Sequence, residues 1–363
     1  MVQIYDDVSS IEELIKKYKK IVLYGGGASC ELLLQSYWNK GLKEHVVSIV
    51  DGNDNLSGEK IRIDGCVVPI VSISEFVDKR KDFEDDVALL LTPAFSSQLV
   101  PCLDEVQGLD GIKLYLLPMI LNKGNTDGFA IKNAGVSLIP RIIHYFWIGN
   151  NPIPDGYKKN IDGWKRLCPD YEIKCWNEDN YDFRSIPYMK EAFEMGGESL
   201  MYATDYARMD VLFRYGGIYM DTDVELVKPL DELLYNEAFI GIEENGQVNS
   251  GSAIGAMPRH PMIKKLMDSY DGEHFIDEEG RPKRTFNTYF ETNCLIENGY
   301  KMVNEYQEVG GMACFPREVF MPICFAGMDD CFSDRTISIH RINPEHQKRN
   351  RDAYLSWKDR VIG

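Results

Sequence analysis

The chain lacks any hydrophobic run long enough to cross a membrane. Its longest apolar stretches, residues 87–91 and 114–121, contain far fewer than the roughly 20 residues that a membrane-spanning helix needs. The start, MVQIYDDVSS, is acidic and does not lead into the apolar segment of a secretory signal. We therefore expect no transmembrane segment, no secretory signal and a cytoplasmic location, with the inner face of the membrane as an alternative.

Basic residues are also scarce, since 40 Lys and Arg stand against 57 Asp and Glu and give a net charge of −17. Nucleic acid binding requires a basic surface, so this composition argues against a nucleic acid partner. Residues 341–363 run against the trend, with six Lys or Arg and three Asp or Glu. We expect a basic C-terminal tail at 346–363. It would make peripheral contact with an anionic membrane or a lipid-diphosphate acceptor, or form a solvated terminal helix.

The nine cysteines include no C-x-x-C pair. An odd number without paired spacing does not indicate a disulfide framework, and the spacings of Cys168/Cys175 and Cys324/Cys331 match no common zinc site. Reduced thiols are the simplest expectation.

A length of 363 residues is too great for one ordinary core and indicates two domains of the α/β class. In the first, a short apolar strand (21–24) leads into a Gly-rich turn and a helix, and a second strand (46–50) ends at an acidic residue. This order is typical of βαβ dinucleotide-binding units, although Cys30 occupies the place of the third glycine. We place this unit at 1–125.

The first unit resembles the small Rossmann-like domains attached to bacterial sugar-modifying enzymes. That resemblance puts Gly25, Gly27 and Asp51 at nucleotide-binding positions. A structural or docking role for this domain is an equal alternative. The Gly/Asn-rich residues 126–137 then indicate a linker.

Two aspartates one residue apart follow a short apolar strand in the segment GIYMDTD (217–223). In an extended chain alternate side chains point the same way, so Asp221 and Asp223 would share one side with Thr222 turned away. Two like charges this close are unfavourable unless a cation or donor groups lie between them. Mg and Mn prefer oxygen ligands and bind through carboxylates together with substrate phosphates. The pattern therefore predicts a metal site that holds a phosphorylated ligand.

The preceding helix carries Asp205 and Arg208 three residues apart, on one face beside its apolar stripe. Such a pair is either an ordinary intrahelical ion pair or part of the same cleft as the aspartates. The glycines at 216 and 217 would end the helix.

Four blocks in this order resemble the DXD-containing sugar transferases of glycosyltransferase family 32, which includes yeast-type mannosyltransferases and bacterial capsule enzymes. The likeness extends more distantly to the glucosyltransferase domain of large clostridial toxins. The blocks are IPRIIHYFWIG (139–149), WKRLCPDYEIKCWNEDNYD (164–182), TDYARMDVLFRYGGIYMDTDVE (204–225) and NSGSAIGAMPRHP (249–261). The resemblance implies a GT-A type nucleotide-sugar transferase domain, which we place at 138–345, and transfer with retention of the anomeric configuration.

Residue by residue, the resemblance implies a donor site. Trp147 matches the aromatic that stacks on the nucleotide base, although simple core packing is the alternative. Asp205 and Arg208 match the pair that holds hydroxyls of the donor sugar and ribose. Tyr219 matches a position that contacts the nucleotide sugar, and Asn249 matches a polar position near the sugar.

The resemblance also implies the metal ligands. Asp223 matches the direct ligand, Asp221 matches a position that holds ribose and metal-bound water, and His340 resembles the C-terminal histidine that completes the metal shell. A satisfied buried histidine is the alternative for His340. The expected ion is Mn or Mg.

These inferences converge on a metal-dependent, retaining glycosyltransferase that moves a sugar from a UDP- or GDP-sugar to a glycan or lipid-linked acceptor. The expected setting is surface or capsular polysaccharide synthesis. The segment 284–296 departs from the family pattern, which leaves the acceptor side open. No dedicated base stands out, although Glu243, Glu244 and Glu291 remain candidates.

Two other classes of protein remain open. A haloacid-dehalogenase-like phosphohydrolase also places a D-x-D after a strand, and Asp329 with Asp330 would imitate its late acidic motif. The phosphohydrolase hypothesis requires Thr or Val two residues after the second aspartate, where this chain has Glu225. It also leaves Trp147 unexplained. The other class is a nucleotide-sensing scaffold that uses the N-terminal domain.

Overall fold

The structure, a computed structural model, describes residues 1–80, 87–131, 135–149 and 151–363. Within those ranges the α/β class expected from the sequence is confirmed. In chain order the strands are β1 (Gln3–Tyr5), β2 (Lys20–Tyr24), β3 (Val46–Asp51), β4 (Lys60–Ile63), β5 (Cys66–Ser72), β6 (Val87–Leu91), β7 (Lys113–Leu116), β8 (Ile142–Phe146), β9 (Glu172–Trp176), β10 (Gly217–Tyr219), β11 (Val224–Leu226), β12 (Ala238–Ile242), β13 (Val248–Ala256), β14 (Gln307–Val309), β15 (Met312–Phe315), β16 (Ser338–His340) and β17 (Val361–Ile362). The helices are α1 (Ile11–Lys17), α2 (Ala28–Tyr37), α3 (Ile73–Lys79), α4 (Ser96–Asp104), α5 (Leu117–Leu121), α6 (Asp155–Leu167), α7 (Pro187–Met195), α8 (Leu200–Tyr215), α9 (Pro261–Asp268), α10 (Asn287–Glu297), α11 (Arg317–Phe320) and α12 (Pro344–Trp357).

The first sheet has the strand order β17-β1-β7-β6-β2-β3-β5-β4 and is parallel except for the β4–β5 pair. Its central strands β2 and β6 are almost wholly buried, as expected for a parallel sheet covered by helices on both faces. The strands and the helix expected after the Gly-rich turn are present at the predicted places.

The end of the chain returns to this first sheet. Strand β17 pairs in parallel with β1, and α12 packs against α4. Trp357 is buried and donates its indole N–H to the carbonyl of Ser97 at 3.1 Å, while Arg360 pairs with Asp104 at 2.6 Å. Residues 344–362 are therefore built into the first unit, which differs from the separate basic tail expected at 346–363. The count of charged residues did not predict this packing, because the apolar residues of α12 decide where the helix packs.

The second sheet has the order β14-β15-β12-β13-β10-β8-β9. Strand β10 lies inside the sheet between β13 and β8, parallel to β8 and antiparallel to β13. Because β8 and β10 are parallel neighbours, the residues that follow them emerge at the same edge of the sheet. This edge carries Trp147 after β8 and Asp221 after β10. A separate two-stranded ribbon pairs β11 with β16.

The two sheets share one hydrophobic core. Helix α2 packs on α10, and one buried cluster contains residues from both halves, among them Leu33 and Leu295. The Tyr37 hydroxyl donates to the carbonyl of Met302 at 3.0 Å, and the Met302 amide donates to Ser36 at 3.0 Å. The first unit is thus packed firmly on the second.

The expected linker at 126–137 falls partly outside the described residues, which omit 132–134. In its described part, Phe129 stacks on Tyr306 with ring centroids 5.3 Å apart, so this segment lies against the second unit. Among the described residues, no helix combines the length and apolar character needed to cross a membrane.

A buried histidine ties β8 to the end of α8. The indole nitrogen of Trp176 can only donate, so Nδ1 of His144 accepts its hydrogen bond at 3.1 Å. The proton therefore lies on Nε2, which donates to the carbonyl of Gly216 at 2.8 Å. A Cβ at Gly217 would approach this Nε2 to 2.8 Å, which explains the second glycine after the helix. Burial lowers the pKa of His144 to about 4.

We expect His144 to make the protein less stable in mild acid. Its folded pKa lies below the unfolded value of 6.5, so the unfolded state binds more protons as the pH falls from 6.5 towards 4. Each pKa unit is worth about 1.4 kcal/mol, so urea titrations should lose roughly 2 kcal/mol of unfolding free energy from this residue between pH 7 and pH 5.

Two variants are compared with the wild type. H144Q should flatten the pH dependence of the free energy of unfolding. H346Q, a change at an exposed histidine, should leave it unchanged. If H144Q retains the full wild-type pH dependence, His144 is not the titrating group.

Candidate active site

The two aspartates of the D-x-D segment lie on a turn between β10 and β11. The amide of Val224 donates to the carbonyl of Asp221 at 3.1 Å, which closes the turn. Helix α6 supports it from outside: Asn160 donates to the carbonyl of Thr222, and Trp164 donates to the carbonyl of Val224, both at 2.9 Å. The expectation of an extended chain here was wrong, and it is the turn that brings both carboxylates to one side.

His340 reaches the same place from a distant part of the chain. Strand β16 pairs with β11 so that His340 lies opposite Val224. Its Nε2 is 3.1 Å from Oδ1 of Asp223. Burial lowers the pKa of His340, but the Asp223 carboxylate has the larger combined effect and raises it. Likewise His340 lowers the pKa of Asp223 against the opposing effect of burial.

The residues present fit a divalent metal. One ligand atom from each of Asp221, Asp223 and His340 can be chosen so that all lie within 4.8 Å of one another. Nδ1 of His340 is buried and has no hydrogen-bond partner among the described residues. Oδ1 of Asp223 is buried as well, and it lies against Nε2 of the same histidine. A buried polar atom without a partner is costly in a protein unless something binds it. Two carboxylates and one imidazole suit Mn or Mg.

Helix α8 places Asp205 and Arg208 beside this cluster, where they also form the intrahelical ion pair. Both side chains are about 95% buried, and Nη2 of Arg208 is 2.9 Å from Oδ1 of Asp205. The same Nη2 is 3.9 Å from Oδ1 of Asp221. Burial raises the pKa of Asp205, an effect that Arg208 opposes. The guanidinium therefore joins the helix to the D-x-D turn electrostatically.

Tyr219 is buried and supports the site from behind. Its hydroxyl donates to Oδ1 of Asp221 at 2.6 Å, and the guanidinium of Arg208 lies 4.8 Å from its ring centre. Burial raises the pKa of Tyr219, so this hydroxyl keeps its proton and remains a donor. Tyr219 thus orients a carboxylate rather than presenting an open surface.

Asn249 enters the site from β13. Its Oδ1 accepts from the amide of Gly251 at 2.8 Å, and the carbonyl of Gly251 accepts from the amide of Asp221 at 3.0 Å. A Cβ at Gly251 would overlap Oδ2 of Asp221 and approach Oδ1 of Asn249 to 3.0 Å. Only glycine allows the strand to come this close to the D-x-D carboxylate.

Trp147 lies at the same sheet edge, just past β8. It is partly exposed, packs edge-on against Tyr157 with ring centroids 5.9 Å apart, and donates its indole N–H to the carbonyl of Asn151 at 2.6 Å. Trp147 also packs against the hydrophobic cluster of the second unit, so part of the ring lies against the core and part of it is exposed.

The three acidic candidates for a base have different surroundings. Glu291 is fully buried on α10, and Glu244 is buried with Oε1 accepting from the amide of Ala326 at 3.0 Å. Glu243 is partly exposed at the β12–β13 turn, and its Oε2 accepts from Nδ2 of Asn249 at 3.1 Å. Burial and the neighbouring Glu244 raise the pKa of Glu243. Of these three residues, Glu243 is the one that is partly exposed and contacts Asn249.

The N-terminal positions form a separate group at the edge of the first sheet. Gly25 has φ +97°, and a Cβ there would meet Pro93 at 2.8 Å. Gly27 precedes α2 as its N-cap. Both carboxylate oxygens of Asp51 are occupied, since they accept from the amide of Gly26 in the Gly-rich turn at 2.7 Å and from the amide of Asn53 in its own loop at 2.8 Å. The structure thus does not bring these residues to the metal cluster.

The pair expected for a phosphohydrolase is also apart from the metal cluster. The side chain of Asp329 is 82% exposed, and Asp330 accepts from the amide of Cys324 at 3.0 Å. Among the described residues, the group that could hold a metal is Asp221, Asp223 and His340.

Sequence reasoning missed Ser250 and Asn287, which lie beside Arg208 and Glu291. A sequence signal for Ser250 existed. Ser250 follows Asn249 on β13, and because side chains alternate along a strand, it lies on the opposite face from Asn249, towards α10. No local pattern marks Asn287, which comes from the segment that departs from the family.

One part of the chain is similar to a known family. Residues 154–240 match the family described as a glycosyltransferase sugar-binding region containing a DXD motif. That stretch contains Asp205, Arg208 and the turn with Asp221 and Asp223. Asp221 and Asp223 thus form a D-x-D sequence inside the matched stretch.

Curated relatives are sugar transferases. The chain is 32% identical over 143 residues to inositol phosphoceramide mannosyltransferase 1 of Schizosaccharomyces pombe, which covers 34% of this chain and 40% of the relative. It is 33% identical over 145 residues to the mannosyl phosphorylinositol ceramide synthase SUR1 of Saccharomyces cerevisiae, covering 38% and 37%. The chain thus spans about 40% of the length of the curated relatives it matches.

Solved structures with some likeness are also glycosyltransferases. The galactosyltransferase LgtC, solved with donor and acceptor sugar analogs, has a TM-score of 0.35 and 14% identity, covering 60% of this chain and 99% of that one. The PaToxG glycosyltransferase has a TM-score of 0.35 and 20% identity, covering 44% and 68%. Scores this low carry no argument about mechanism.

We predict that Gly251→Ala lowers activity much more than stability. The new methyl group must displace the Asp221 carboxylate, so metal-dependent nucleotide binding should weaken by about tenfold or more while the melting temperature changes little. Isothermal titration with UDP or GDP and Mn measures this. Gly163→Ala in α6 is the matched control, because its Cβ meets only the end of Arg166 at 3.8 Å. Equal binding by both variants would contradict the prediction.

Proposed function

We propose that the protein is a metal-dependent glycosyltransferase that uses a UDP- or GDP-sugar. One observation carries the proposal: two aspartates and a histidine, whose buried Nδ1 has no partner among the described residues, converge beside a buried Asp–Arg pair. The family region and the named relatives support the reaction class.

Asp223 and His340 would hold the ion directly, and Asp221 would hold metal-bound water and ribose. When bound, Mn or Mg supplies positive charge next to the two phosphates of the donor. This matters because the protein carries a net charge of −17 and the donor is an anion. Tyr219 keeps Asp221 in place through its hydrogen bond.

Asp205 and Arg208 would orient the donor sugar, and Asn249 would contact it from β13. Both members of the ion pair are held by buried contacts, so their geometry is set before the donor arrives. The open part of the Trp147 ring would stack on the base, since aromatic faces bind bases without needing a particular hydrogen-bond pattern.

For the acceptor we propose a glycan or lipid-linked molecule. Two curated relatives are named for transfer to inositol phosphoceramides, which are lipid acceptors. Surface or capsular polysaccharide synthesis at the cytoplasmic side of the membrane would bring the protein to a lipid-linked acceptor. A panel of UDP- and GDP-sugars, assayed for donor hydrolysis with Mn, would name the donor.

Asp223→Ala tests the metal site. The variant should lose metal-dependent binding of UDP or GDP and should lower turnover by about 100-fold or more, because Oδ1 of Asp223 is a central ligand atom of the cluster. Calorimetric titrations with and without Mn measure it. Asp162→Ala, at a 69% exposed position on α6, should behave as wild type. Metal-independent binding of equal strength in all three proteins would sink the proposal.

We further predict that the anomeric configuration is retained. The acidic side chains next to the ion pair are assigned to donor and metal, and a retaining enzyme can use the leaving phosphate as the base. Proton NMR of the first-formed product decides through the anomeric coupling constant, and an α-linked donor should give an α-linkage. A β-linkage would reject retention. Glu243→Gln should then abolish transfer, because Glu243 is the one of the three candidates that is partly exposed and contacts Asn249.

A further inference from the structure

Helix α10 buries a carboxylate that the proposed reaction does not use directly. Glu291 is 0% exposed. Oε2 accepts from the amide of Ser250 at 2.9 Å, and Oε1 accepts from Nδ2 of Asn287 at 2.9 Å and from the hydroxyl of Ser250. Three donors therefore converge on two oxygens. A carboxylate meets this demand, whereas a glutamine amide would turn an NH₂ group towards at least one donor.

Ser250 connects Glu291 to Arg208, which belongs to the proposed donor site. The Ser250 hydroxyl donates its hydrogen bond to Glu291, so its oxygen can only accept from other groups. It accepts from Nη1 of Arg208 at 3.1 Å and from Nδ2 of Asn287 at 3.3 Å. Without the Glu291 carboxylate the hydroxyl could rotate its proton towards the guanidinium, where two donors would face each other.

The orientation of Arg208 depends on this contact. Its Nε donates to the carbonyl of Thr204 at 3.3 Å, and its Nη2 donates to Oγ1 of Thr204 at 3.1 Å and to Asp205 at 2.9 Å. Those partners all lie on the helix that carries Arg208. Among the described residues, Ser250 is the hydrogen-bond acceptor at Nη1, and it comes from a different element. It therefore locks the guanidinium plane against rotation.

We propose that Glu291 is a positioning residue that orients Arg208 through the hydroxyl of Ser250. The inference rests on the proposed function, in which Arg208 contacts the donor sugar. It also gives a role to the segment 284–296, which departs from the family pattern and here supplies both Asn287 and Glu291.

The experiment compares Glu291→Gln with Thr292→Val on the same helix. Thr292 is as buried as Glu291, and its hydroxyl oxygen accepts from the amide of Val248 at 3.0 Å. Removing this hydroxyl also leaves one buried donor of β13 unpaired. It does not touch Ser250 or Arg208 in any described contact. We expect similar melting temperatures for the two variants. With Glu291→Gln, kcat for donor hydrolysis should fall by about 10- to 100-fold at little change in KM, whereas Thr292→Val should change kcat less than about threefold.

A double-mutant cycle shows whether Glu291 acts through Arg208. In an Arg208→Lys background, Glu291→Gln should cost less than about threefold, because the group that it orients has gone. Additive losses, or equal losses of kcat with Thr292→Val, would overturn the positioning role.

A second readout needs no turnover. The guanidinium ¹H–¹⁵N signal of Arg208, assigned by its absence in Arg208→Lys, should shift and exchange faster in Glu291→Gln than in Thr292→Val. An unchanged signal in Glu291→Gln would overturn the inference. A wild-type protein that hydrolyses no nucleotide sugar while this signal shifts would overturn the proposed function and leave the orienting contact supported.

Discussion

The arrangement of the site depends on the electrostatic cost of gathering carboxylates in a small buried volume. Two basic side chains, Arg208 and His340, lie among the acidic ones. The acidic side chains are Asp205, Asp221, Asp223, Glu243 and Glu291. Buried charges of one sign are tolerated only when ion pairs, hydrogen bonds or a metal compensate them. Arg208 and His340 each lie against a carboxylate, and among the described residues Asp221, Asp223 and His340 are the group that could hold a metal ion.

Backbone contacts hold those charges in place. The D-x-D turn is fastened on one side by α6, through Asn160 and Trp164, and on the other by β13, through Gly251. Because these contacts involve main-chain atoms, the turn cannot move without losing several hydrogen bonds at once. The carboxylates are therefore preorganised, which is the condition for strong electrostatic stabilisation of a charged ligand.

The first unit contributes to this framework by contact rather than by its own loop chemistry. Ser29 at the start of α2 accepts from Nε2 of Gln247 at 3.1 Å, and Glu31 accepts from the hydroxyl of Tyr289 at 2.9 Å. Both partners lie close in sequence to site residues, on the β12–β13 turn and on α10. The Gly-rich motif made this unit recognisable, and within it Asp51 accepts from the amides of Gly26 in the Gly-rich turn and Asn53 in its own loop.

The sequence by itself determined the α/β class, the central strands of the first sheet and the DXD region with its Asp–Arg helix. These signals are local: apolar runs, glycines at turns and helical spacing each act over a few residues. Only the tertiary structure decided that residues 344–362 return to the first sheet, that Glu291 supports Arg208 through Ser250, and that Glu243 alone among the acidic candidates is partly exposed beside Asn249. Those outcomes depend on pairing between strands and helices far apart in the chain, and burial and hydrogen bonding across such distances leave no local pattern to read.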